Sequence, residues 1–107
     1  MLVQINSDNN INAGEGFIAD IEANLRERLS RYEDRLTRVE VHLRDVNAAS
    51  NVGDDKQCTI EVRPNGLGPL TVTDAAGTVP QALAGATSKV LVALERTFGK
   101  LTSRKGH

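Results

Sequence analysis

The chain has 107 residues and a formal net charge of -1, with 39% hydrophobic, 25% charged and only 3% aromatic residues. That length suits one compact domain spanning 1–107 and is too short for two. The charge argues against a strongly basic nucleic-acid binder, and the scarcity of rings disfavours base stacking on aromatic platforms.

The opening MLVQINSDNN has no basic leader and no long apolar run, so no signal peptide is expected. Met1, Val3 and Ile5 alternate with Leu2 and Gln4, which predicts a short strand. Asn12 and Glu15 have the spacing of a capping box. A helix is predicted over roughly 15–35, because Ile18, Ile21, Leu25, Leu29, Tyr32 and Leu36 recur at steps of three and four. In RVEVHLRDV, Val39, Val41 and Leu43 alternate with Glu40, His42 and Arg44, the pattern of a half-buried strand. After the polar loop NAASNVGDDK comes QCTIEVR, with Cys58, Ile60 and Val62 inward. PNGLG is a turn, and PLTVTD is a fourth strand with Leu70 and Val72 inward. Thr78, Pro80 and Gln81 then mark the start of a second helix. Its apolar stripe is Val79, Leu83, Ala86, Val90, Leu94 and Leu101, flanked by Phe98, and residues 102–107 are expected to fray.

The order β-α-β-β-β-α, with one apolar face on each element, predicts an α+β fold: a four-stranded sheet with both helices on one face. The first two strands should be parallel neighbours joined through the helix, and the last three an antiparallel meander. Glu40, His42, Arg44, Thr59, Glu61, Arg63, Thr71 and Thr73 would form a wet face.

No catalytic or metal-binding constellation stands out. His42 falls on the solvent face of a strand, and His107 is the last residue. Cys58 alternates onto the apolar face, as a core thiol does, and has no paired histidine nearby; as a lone cysteine it makes no internal disulfide, which fits a reducing cytosol. Asp54 and Asp55 lack the regular oxygen-ligand spacing of a calcium loop, and the glycines around PNGLG lack the helix start and lysine of a phosphate loop. No segment approaches the roughly 18 apolar residues of a membrane span. The chain is therefore read as non-enzymatic, with no cofactor, metal or small-molecule substrate, and as cytoplasmic.

What remains is positive charge. On a wheel with Ile18 at zero, Arg28, Arg31 and Arg35 fall at about 280°, 220° and 260°, a stripe beside the buried face, while Arg26 falls near about 80° on the other flank. With Leu83 at zero, Lys89, Arg96 and Lys100 fall at about 240°, 220° and 260°, with Arg104 nearby if the helix persists. On neighbouring helices these stripes could form a band that tracks a phosphate backbone without reading bases. Charged flanks are also the rule on amphipathic helices, and Glu27 with Arg31 is a favourable i,i+4 pair.

The order of elements, the stretch RERLSRYEDRLTRVEVHL running into the second strand, and the terminal ALAGATSKVLVALERTFGKL resemble the ribosome hibernation promoting factor and ribosome-associated inhibitor family. It is also labelled ribosomal subunit interface or sigma-54 modulation proteins, and its fold is double-stranded-RNA-binding-domain-like. The likeness runs to about Lys105 and is closest to short acidic members. It implies binding to small-subunit rRNA in stress or stationary phase, where the factor fills the mRNA/tRNA channel and keeps ribosomes idle. Carried over, Arg28 and Arg31 match basic positions of the family's first helix, Lys89 and Arg96 match those of the last, and Lys100 fits its basic tail. Asp34 and Val92 stand where the family usually has basic residues; Arg35 partly compensates for Asp34. Long members add a dimerisation domain, so the resemblance implies a short form acting as a monomer on one subunit. Asp34, Val92 and the net negative charge support an alternative: a protein-interaction module on the same fold with weakened or lost ribosome binding.

Overall fold

The computed structural model describes residues 1–8, 11, 14–46 and 56–105, with the backbone alone for Glu15 and for residues 100–105. The expected Asn12 cap, the loop over 47–55 and the side chains of Lys100, Leu101 and Arg104 lie outside the described residues.

Seven elements follow in order: β1 (Leu2–Ser7), α1 (Glu15–Arg28), a 3-10 helix η1 (Ser30–Arg35), β2 (Leu36–Asp45), β3 (Lys56–Pro64), β4 (Leu70–Ala76) and α2 (Val79–Lys105). The four strands make one sheet in the order β1-β2-β3-β4. β1 runs parallel to β2, with Val3 beside Val39 and Ile5 beside Val41. β2-β3-β4 is an antiparallel meander that sets Val41 against Ile60 and Ile60 against Val72. These are the topology and register that the alternating patterns demand, since a one-residue slip would turn every apolar side chain to water.

The core lies between the sheet and the two helices. Ile21 and Leu25 of α1, Leu29 just past its end, and Leu83, Ala86, Val90 and Leu94 of α2 are buried in one cluster with Val39, Val41, Leu43, Cys58, Ile60 and Val62. α2 starts where the sequence indicates, with the Gln81 amide donating to Thr78 Oγ1 at 3.3 Å. Thr87, buried on the same helix, satisfies its hydroxyl by donating to the Leu83 carbonyl at 2.7 Å. α2 continues to Lys105, through the first residues of the tail expected to fray. The meander's last turn runs Pro64 to Leu67, closed by the Leu67 amide on the Pro64 carbonyl, with Gly66 at φ 74° supplying the left-handed residue that a type II turn needs.

One element departs from the sequence reading. The first helix ends as α-helix at Arg28, not near residue 35. The chain tightens into η1, and Leu36, expected on the helical stripe, opens β2 instead. A spacing of three or four cannot separate α from 3-10 geometry: the Leu29 amide donates back to Leu25, an α bond, and the Tyr32 amide to Leu29, a 3-10 bond. Asn65 holds this end of η1, its amide donating to the Arg35 carbonyl at 2.8 Å and its side chain to the Asp34 carbonyl at 3.1 Å.

Candidate nucleic-acid interface

The α-to-3-10 switch changes how the arginines are arrayed. A 3-10 helix turns about 120° per residue, so side chains three apart eclipse. Arg31 therefore shares an edge with Asp34, and Arg35 shares one with Tyr32; the wheel drawn at 100° per residue does not hold beyond Leu29. Tyr32 is buried and stacks on Phe98 of α2, ring centroids 5.6 Å apart and 20° from parallel. The Arg31 guanidinium lies 5.3 Å from the Tyr32 ring centre, and that of Arg35 lies 5.0 Å from the Phe98 ring centre. Two arginines thus bracket one aromatic pair. An aromatic face orients a guanidinium while leaving its charge uncompensated.

Arg28, the last residue of α1, donates to Ser88 Oγ on α2 at 3.4 Å. Arg28 and Arg35 are therefore seated on α2 at residues 88 and 98, a span of about 15 Å along its axis. Exposed Lys89, Val92 and Arg96 lie within that span. Ser88, Lys89, Val92, Ala93 and Arg96 line a shallow surface hollow of about 360 Å³. Arg28, Arg31, Arg35 and Arg96 make no ion pair among the described residues.

Lys89 has a different setting. Its ammonium lies 3.3 Å from Asp74 Oδ1 and donates to the Thr73 carbonyl at 2.8 Å, although half of its side chain stays exposed. Arg26 turns the other way, pairing with Glu22 at 3.0 Å and donating to the Met1 carbonyl. The sequence reading missed the Tyr32–Phe98 pair that carries the arginines, and Asp74, the partner of Lys89. For Asp74 a signal existed, because residues 70, 72 and 74 alternate onto one face.

Charged groups on the sheet pair among themselves. On the outer sheet face Arg38 pairs with Glu40, Arg63 with Glu61 at 3.5 Å, and His42 lies 3.8 Å from Glu40. Cys58 is fully buried, and that burial, with the Asp74 charge across the strand, pushes its thiol up to about 12. A thiol so placed is not a nucleophile at neutral pH. No cluster of side chains suited to a metal ion occurs among the described residues.

The family model for the sigma 54 modulation protein / S30EA ribosomal protein family matches residues 3–102. The chain belongs to this family. It is one of ribosome-associated modulation factors. The fold is similar to that of the Thermus thermophilus Protein Y N-terminal domain, with a TM-score of 0.72 and 19% identity over 91% of this chain and 99% of that one. It is also similar to a ribosomal subunit interface protein from Coxiella burnetii, with a TM-score of 0.70 and 11% identity over 92% of this chain and 99% of that one. No curated protein matches. No helix among the described residues is long and apolar enough to cross a membrane.

Proposed function

We propose that this S30EA-family chain is a non-catalytic cytoplasmic factor that binds small-subunit rRNA through the band formed by Arg28, Arg31, Arg35, Lys89, Arg96 and Lys100. Bound there as a monomer, it would block the mRNA/tRNA channel and hold ribosomes idle in stress or stationary phase. The observation that carries this reading is the seating of Arg28 and Arg35 on α2, which brings the arginines of α1 and η1 alongside Lys89 and Arg96. Cations spread along about 15 Å of helix match a run of phosphates rather than a single anion.

The test is cosedimentation with small subunits at two salt concentrations. Wild type should pellet at low salt and be lost steeply as salt rises. Arg28→Glu, Arg31→Glu and Arg96→Glu together should abolish pelleting while the circular dichroism spectrum is kept. Lys89 is left intact in that variant because it also holds Asp74. A triple variant that pellets like wild type would remove the proposal. The second reading, a protein-interaction module with weakened ribosome binding, is favoured by Val92, which is 48% exposed at the centre of the band. Under that reading a pull-down recovers a protein partner without rRNA.

A further inference from the structure

A second concavity lies at the other end of the helical layer, between α1 and the first turns of α2, with a volume of about 380 Å³. That is the size class of small-ligand sites. Its floor is apolar: Ile21 and Leu83 are buried there, with Phe17 and Val79 beside them half-buried. One wall is a polar column on α1, Asp20, Asn24 and Arg28. Spaced four residues apart, these lie on one edge of the helix, about 6 Å from one to the next. Along the cleft they present a carboxylate, then an amide, then a guanidinium. The Asp20 carboxylate and the Asn24 side chain take part in none of the hydrogen bonds or ion pairs among the described residues. Arg28 closes the far end through its bond to Ser88.

We propose that this cleft binds a guanine nucleotide, with the base on the apolar floor, its donor edge on Asp20 and its phosphate toward Arg28. A nucleotide carries donors at one end, a flat apolar body and an anion at the other end, which is the order of the column and floor. An ionised carboxylate only accepts hydrogen bonds. Guanine alone among the four RNA bases sets two donors, N1–H and the N2 amino group, side by side to meet it. Adenine and cytosine place an acceptor next to their amino group, and uracil flanks its one N–H with carbonyls; each turns a lone pair toward Asp20. Asn24 can donate to the guanine O6. Asp20 also repels phosphate, which fixes the orientation, and Arg28 receives it. The same chemistry is offered by a free nucleotide and by an unpaired guanine in a bound RNA strand. The strand source rests on the rRNA-binding reading above; the free-nucleotide source does not.

The experiment is an NMR titration of the full chain with GMP, AMP and XMP, and with two short single-stranded RNAs that differ by one guanine-to-adenine change. GMP should shift the Asn24 side-chain amide and the Leu83 methyls and bind at least about tenfold more tightly than AMP, the scale of one good bidentate base contact. Xanthine has a carbonyl where guanine has its amino group, so Asp20→Asn, which can donate as well as accept, should lose GMP and gain XMP. That exchange of preference would not follow from a merely structural role. Saturation by GMP assigns the site to free nucleotide; saturation by the guanine strand alone assigns it to RNA. Equal shifts with GMP and AMP, no saturation with GMP or the guanine strand, or an unchanged GMP affinity in Asp20→Asn would overturn the proposal. These titrations contain no ribosomes, so their failure is separate from a failure of the pelleting assay.

Discussion

Asp74 follows Leu70 and Val72 on the inner face of β4, so its carboxylate lies under α2 and beside Cys58. It is kept there by Lys89 and by the absence of a side chain on Gly85, since a Cβ at Gly85 would fall on the carboxylate itself. Glycine inside a helix ordinarily costs about 1 kcal/mol relative to alanine. Gly85→Ala should therefore stabilise the protein, were the site open. With Asp74 beneath it, the methyl must push the carboxylate off Lys89 or lift the helix, and overpacking of that kind costs roughly 1–3 kcal/mol. The expected outcome is a net loss of about 1 kcal/mol for Gly85→Ala alone, and a gain of about 1 kcal/mol for the same change in an Asp74→Ala background. Urea unfolding of the four proteins measures that reversal of sign as shifts in midpoint at constant slope.

The elements differ in how far they could be read from the chain. Each strand alternates over five or more residues, and no other local structure has a period of two, so pairing and facing follow from Val39, Val41, Leu43 and their partners. The end of α1 was hidden because Leu29, Tyr32 and Leu36 have a spacing that α-helix and 3-10 helix share, and no glycine or proline marks the change. The arginines were legible as residue types, but their seating was not: Tyr32 and Phe98 are distant in sequence, and only packing brings the rings together. That pair links η1 to α2, so it should govern stability and binding together. Phe98→Leu keeps an apolar side chain in the core but removes the stacking surface for Tyr32 and the platform for Arg35. It should cost about 1 kcal/mol beyond its loss of buried area and weaken ribosome pelleting as well. Val41→Ala, in the fully buried centre of β2, should cost roughly 2 kcal/mol and leave pelleting intact. If the two variants lose binding in proportion to lost stability, the aromatic pair has no positioning role.

At the scale of the molecule, the net charge of -1 conceals two unlike faces. On the sheet's outer face like charges sit opposite one another across β2 and β3, Arg38 against Arg63 and Glu40 against Glu61. Such neighbours repel, and each arginine is instead compensated along its own strand, by Glu40 and Glu61 respectively. The helical face instead seats Arg31 and Arg35 against aromatic rings, which orient the charge without cancelling it. Two double variants separate the sum from the distribution. Arg38→Gln with Arg63→Gln, and Arg31→Gln with Arg35→Gln, each take the net charge from -1 to -3. If binding followed net charge, both would weaken equally. With the band as the contact surface, only the helical-face variant loses affinity, and its salt slope falls by roughly 1.4 to 1.8, the release of counterions from two phosphates. The sheet-face variant keeps the wild-type slope, because its arginines were already neutralised by their own strands.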